Sequence, residues 1–251
     1  MNKTLVLELL QSSKIKPINI VLEKITSRMK KSYSFYGEDA LIMGILERYE
    51  FIFKKPLQLS YIDIGAWRPI RGSNTYFLYK HGFFGTAVEP NPYFTEIWKQ
   101  VRPKDNFLQI GCGEGGSGAM QIFHASAASN TVDPEFAKKI IDSQNVKVEM
   151  EIQIKLKTLS QIIAIHREHN SLPFLLDIDI EGLDYSVLNE FSFEHEMRPM
   201  LIMVEDGDPE ATSKSRSALH SLLNKNEYQM IARTVLTAIF VDTKTELVKL
   251  C

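Results

Sequence analysis

Cysteine is scarce: Cys112 and Cys251 are the only two in 251 residues. Two distant cysteines build no disulfide scaffold, and no CxxC pair is present to grip a metal. A reducing cytoplasm is the expected compartment. An excess of charge of one sign is also missing. Lys and Arg number 29 against 31 Asp and Glu, for a net charge of -2 and a pI near 6.3. No dense basic stripe interrupts that balance, which argues against a dedicated nucleic-acid binder; Lys30-Lys31 and Lys54-Lys55 read as solvated faces. Long apolar runs are absent too. Leu5-Val6-Leu7 is cut by Glu8, too short for a signal segment or a membrane span. Gly111 to Gly116 matches G-x-G-x-x-G, but the strand-like Ala119 to Phe123 follows it where a dinucleotide site needs a helix. It reads as a glycine-rich turn.

What is there is an ordinary globular composition, 44% hydrophobic and 24% charged, long enough for a sizeable core. Residues 1–32 carry Leu5, Leu9, Leu10 and then Ile18, Val21, Leu22, Ile25 at helical spacing around Pro17. They predict a helical arm that packs on the domain or joins a homo-oligomer, with a lid over the site as the alternative. From residue 33 onward, short apolar strands alternate with amphipathic stretches about five times. The chain ends in a strand pair near Gln229–Arg233 and Val235–Val241, with a frayed tail. The pattern predicts an α/β fold: a doubly wound, mostly parallel sheet with a C-terminal antiparallel hairpin. Residues 124–156, a polar loop, a helix and a polar-apolar alternation, break the rhythm and read as an insertion in the domain over 33–251.

The chemistry collects at strand ends. Tyr61-Ile62-Asp63-Ile64-Gly65-Ala66 is a strand closing in an acid and small residues, which lets a ligand approach the backbone. The next strand, Thr86-Ala87-Val88, ends in Glu89, an acid suited to a ribose diol. Phe174 to Gly182 is an apolar strand carrying Asp177, Asp179 and Glu181, which a period of two puts on one side of the sheet. Three carboxylates there need partners, a cation or raised pKa values. Met200 to Asp206 is a further strand ending in Glu205 and Asp206. Ligands bind over such carboxyl ends, so these four tips are expected to converge. Glu38 and Asp39 open a helix and read as local capping.

In order along the chain, Gly37-Glu38-Asp39, Tyr61 to Ala66, Ser73 to Leu78, Val88 to Pro92, Ile178 to Leu183 and Arg198-Pro199 through Glu205 resemble the FkbM-type family of S-adenosylmethionine-dependent methyltransferases. Phe35, Trp67-Arg68 and Asp177 depart from the residues usual there. The resemblance implies a seven-stranded, Rossmann-like class I sheet, S-adenosylmethionine as cofactor, and methylation of a hydroxyl on a sugar or glycan such as a surface polysaccharide. A small natural product as acceptor, or a non-catalytic cofactor-binding protein, are the alternatives. Gly65 would let the amino-acid part of the cofactor approach, Asp63 would hold its ammonium and Asn74 its carboxylate. Glu89 would take the ribose, with Asn91 assisting and Gly111, Cys112 and Gly113 flanking the adenine. A sugar hydroxyl needs a base or a metal. Asp179 is the first candidate for base, with His124 its rival; Asp179, Glu205 and Asp206 are the candidate ligands for a divalent cation such as Mg²⁺.

Overall fold

A computed structural model describes residues 32–124, 128–194, 197–206 and 213–250, at 213–217 by the backbone alone. Residues 1–31, which carry nearly all of the expected arm, lie outside that set. The elements in order are α1 (Glu38–Phe53), β1 (Ser60–Ile64), α2 (Tyr76–Lys80), β2 (Gly85–Val88), a 3-10 turn (Pro92–Phe94), α3 (Thr95–Val101), β3 (Asn106–Leu108), β4 (Gly111–Cys112) and β5 (Gly116–Ile122). They continue as α4 (Pro134–Gln144), β6 (Met150–Lys157), α5 (Leu159–His169), β7 (Phe174–Ile178), α6 (Asp184–Glu190), β8 (Leu201–Glu205), α7 (Ser213–Lys225), β9 (Tyr228–Arg233) and β10 (Thr237–Asp242).

Seven strands form one sheet in the order β3-β2-β1-β7-β8-β10-β9. Neighbours from β3 through β8 run parallel, and β10 is antiparallel to both β8 and β9. The expected α/β sheet and terminal hairpin are thus present, with the last strand inserted one place inward. Alternation explains the two buried faces. Ile62 and Ile64 of β1, Phe174, Leu176 and Ile178 of β7, and Ile202 and Val204 of β8 pack with Leu159, Ile162 and Ile163 of α5 and Val187 and Leu188 of α6. The opposite residues Tyr61, Leu175, Leu201 and Met203 pack with Ile42, Leu46 and Tyr49 of α1. Helices on both faces make the sheet doubly wound. The tail is not frayed as far as residue 250: Glu246–Leu250 is a 3-10 turn, and Leu247 is buried with α1.

A second, three-stranded sheet in the order β4-β6-β5 stands apart. The predicted strand Ala119 to Phe123 lies in its β5 as far as Ile122, and the polar-apolar alternation of the expected insertion is its β6. The strand-forming part of this unit therefore begins at Gly111, ahead of the expected break at 124. The helix expected within the insertion is α4.

Candidate active site

Parallel pairing lines up the strand tips. Asp63 of β1 sits in register beside Asp177 of β7, and Ile178 beside Val204 of β8, so the next residues, Asp179 and Glu205, meet at the same level. Asp63, Asp177 and Glu205 share the α1 face with Tyr61, Leu175 and Met203. The period-two expectation holds for Asp177 only inside the strand. β7 ends at Ile178, and Glu181 lies in a turn with φ +54°, so the turn, not the pleat, sets its direction.

Gly65 locks the tips together. Its amide donates to Val88 O at 3.0 Å, and the Asp179 amide donates to Ile64 O at 3.0 Å. At φ +83°, a Cβ on residue 65 would lie 1.7 Å from the carbonyl oxygen of Asp179. Only glycine fits this crossing.

Two adjoining hollows open over these ends and share Gly65, Trp67, Asp179 and Glu181. The first, about 550 Å³, has Ile110, Gly111 and Cys112 on one wall and Ile180 and Leu183 on another, with Glu89 among its lining residues. Glu89 is held by two backbone donors, Trp67 N–H to Oε2 at 2.9 Å and Asn91 N–H to Oε1 at 2.7 Å. Burial nevertheless pushes its pKa up to about 7. Cys112 is buried against the same hollow, and burial pushes its thiol up to about 12. It offers an apolar wall rather than a thiolate.

The second hollow, about 670 Å³, is lined by Glu38, Asp63, Asp177, Asp179, Glu181 and Glu205, with Asn74 and the aromatic Phe35, Tyr36 and Trp67. Asp179 opens into the cleft while the surrounding protein desolvates it. Desolvation and then Asp63 push it up to about 6, and a hydrogen bond with Glu205 pulls the other way. Burial also raises Asp63 and lifts Asp177 and Glu181 well above the carboxylate range, Asp177 further through Asp63 and Glu181 further through Asp179. Behind the cleft, Asp184 is pushed to about 7. A cavity walled this way favours a positively charged guest.

The other candidates divide. Asn74 lines the second hollow and donates to Asp177 Oδ1 at 3.4 Å. Asn91 caps the 3-10 turn, accepting from Tyr93 N–H at 3.0 Å, and its contribution to the site is its amide on Glu89. His124 follows β5 as an exposed residue and is not among the described residues lining either hollow. Asp206 is turned to Arg233 and to His220 Nε2, the latter at 3.1 Å. Of the three residues expected to hold a cation, only Asp179 and Glu205 meet. Among the described residues no group of three Asp, Glu, His or Cys side chains is arranged to hold a metal.

The model of the Methyltransferase FkbM domain matches residues 63–230, more than half of the chain. The chain belongs to the FkbM methyltransferase family. No curated protein matches it. Among solved structures it is similar to a TehB-like SAM-dependent methyltransferase from Corynebacterium glutamicum ATCC 13032 Kitasato, at 11% identity over 89% of this chain and 97% of that one, with a TM-score of 0.39. The FkbM match begins at Asp63 and takes in Gly65, Glu89, Asp179 and Glu205.

Two residues that periodicity did not reveal also line these hollows. Glu38 read as a helix cap; its carboxylate reaches the second hollow and accepts from Thr234 Oγ1 at 2.7 Å and Tyr36 N–H at 3.0 Å. Trp67, at φ +43°, lines both hollows, and its carbonyl accepts from Trp98 Nε1 at 2.9 Å. Nothing in spacing marks either residue. The segment Ser73 to Leu78 runs into α2, whose N-cap position is Thr75, and Ser73 Oγ accepts from Tyr76 N–H at 3.1 Å.

Proposed function

We propose that the chain is an S-adenosylmethionine-dependent O-methyltransferase acting on a hydroxyl of a sugar or glycan. The observation that carries the reading is the meeting of Asp63, Glu89, Asp179 and Glu205 around two joined hollows at the carboxyl ends of adjacent strands. The residues fit the cofactor. The first hollow offers an apolar slot beside a carboxylate, and the side-chain-free crossing at Gly65 lets an amino-acid moiety reach the backbone. Glu89 would accept from the ribose hydroxyls, and Ile110, Cys112 and Leu183 would flank the adenine. Asp63 would face the ammonium, with Asn74 near the carboxylate.

When bound, S-adenosylmethionine supplies an electrophilic methyl carbon on a sulfonium. The acceptor enters the second hollow, where Phe35, Tyr36 and Trp67 give faces for a sugar ring. Asp179, at the boundary between the hollows, takes the hydroxyl proton, and Glu205 hydrogen-bonds it and shares the charge. Alignment over the floor at Gly65 supplies the rest of the acceleration.

The test offers methyl-labelled S-adenosylmethionine with a panel of oligosaccharides, and binding is scored separately with S-adenosylhomocysteine and NAD. Thermal stabilisation by S-adenosylhomocysteine alone, and label in an ether that survives base treatment, is the expected result. Stabilisation by NAD, or label on nitrogen or on a base-labile ester, overturns it.

A further inference from the structure

Behind the cleft lies a buried cation that the proposed chemistry leaves unused. Arg102 follows α3 and is almost fully buried. Its Nε donates to Asp105 Oδ2 at 2.7 Å, its Nη2 to Tyr61 Oη at 2.7 Å and to Thr75 Oγ1 at 3.0 Å, and its Nη1 to Ser73 Oγ at 3.2 Å. Tyr61 Oη in turn donates to Asp105 Oδ1 at 2.7 Å, and the Gly85 amide to the same oxygen at 3.0 Å. Asp105 offsets the guanidinium, with its Oδ2 also 2.6 Å from Nη2, and Nη2 shares its two hydrogens among Asp105, Tyr61 and Thr75. Thr75 Oγ1 then donates its own proton to Asp63 Oδ2. Two of the three hydroxyls that Arg102 holds, those of Ser73 and Thr75, flank Asn74, so one side chain fixes both ends of the segment that would approach the cofactor.

We propose that Arg102, acting through Thr75, is a positioning residue that keeps Asp63 ionised and aimed at the cofactor ammonium. The inference rests on the reading of Asp63 given above. The charged groups around Asp63 are Asp177 on β7, Asp179 beyond it, Glu89 at the end of β2, and Arg102 with Asp105 beyond α3. Every one of these except Arg102 is an acid. Burial pushes Asp63 upward, Arg102 and the Thr75 hydroxyl pull it back, and Asp105 adds to the upward side. Without the relay, Asp63 holds its proton to higher pH and cannot receive an ammonium there.

Arg102→Met removes a charge from a closed network and risks unfolding, so the decisive variant is Thr75→Val. It keeps the volume and leaves Arg102 its bonds to Asp105, Tyr61 and Ser73. S-adenosylhomocysteine affinity is measured by calorimetry on the full chain at about pH 5.5 and pH 8.5, for the parent, Thr75→Val, Thr75→Ser and Asp63→Asn. Thr75→Val is expected to lose about tenfold at the lower pH and under about twofold at the higher, the signature of an acid limb moved by about one pH unit. Thr75→Ser, which restores the hydroxyl, is expected to return to the parent profile. A Thr75→Val loss equal at both pH values means a purely structural role and overturns the relay, provided Asp63→Asn has weakened binding. If Asp63→Asn binds like the parent, the site reading itself fails and takes the relay with it.

Discussion

Glu89 gives the sharpest test, because its function and its stability pull apart. Its pKa moves from 4.5 in a free side chain to about 7 in the folded chain, chiefly through burial. The folded state therefore binds that proton more tightly than the unfolded state. Its favourable contribution is complete below about pH 4.5 and is lost as pH rises through about 7. A displacement of that size corresponds to about 3 kcal/mol. Glu89→Gln has no proton to exchange. Its amide also meets two backbone donors, Trp67 N–H and Asn91 N–H, and can accept from only one of them. The lost bond costs about 1–3 kcal/mol at every pH. The variant is therefore expected to be the weaker protein near pH 5 and to draw level with the parent, or pass it, near pH 8. Urea unfolding of both chains at the two pH values measures this, and the gap between them should change by roughly 3 kcal/mol. S-adenosylhomocysteine affinity at pH 8 should fall about tenfold with it, the loss of one charge-assisted hydrogen bond to a ribose hydroxyl. A gap that stays constant to within about 0.5 kcal/mol would show that Glu89 does not titrate in this window, and the account of its burial would be wrong.

Asp179→Asn is expected to reduce turnover by at least about a hundredfold while S-adenosylhomocysteine binding stays within about threefold; near-normal turnover would remove Asp179 as base. In the parent, turnover should rise with pH through about 6, because the base works only after losing its proton, and a flat profile from pH 5 to 8 would contradict this. Gly65→Ala places a Cβ against the Asp179 carbonyl at positive φ, so a loss of about 3 kcal/mol or more, with no detectable shift by S-adenosylhomocysteine, is expected in thermal unfolding. With Asp206 engaged by Arg233 and His220, treatment with EDTA should leave turnover within about twofold; loss restored by Mg²⁺ would show that Asp179 and Glu205 recruit an ion with ligands beyond the described residues.

The strand tips were legible because they depend on local pattern. An apolar run that ends in an acid or glycine says where a parallel strand stops, and Asp63, Gly65, Glu89 and Asp179 all fall at such ends. Partners across the fold were not legible. Arg102 stands in Val101-Arg102-Pro103-Lys104-Asp105, where no local pattern marks burial, yet it is among the most buried side chains. Only the tertiary meeting of α3, β1 and the start of α2 makes it a hub. Asp206 shows the reverse: its position beside Glu205 suggested a shared ion, but adjacent residues beyond a strand diverge, and Arg233 on β9 claims it. The small sheet was half legible. Its strands had the right alternation, but nothing local says that β5 pairs with β6 instead of joining the main sheet.

The side-by-side placement of Asp63 and Asp177 has an outcome for the solution around the enzyme. Asp177, buried and set beside Asp63, retains its hydrogen ion at pH values where a free carboxylate has given it up. A guest bearing a sulfonium and an ammonium makes that retention unfavourable, so occupancy must expel acid into the medium. Donor uptake thus becomes weaker in more acidic surroundings, and the heat of binding will vary with the ionisation enthalpy of the buffer chosen to absorb what is released.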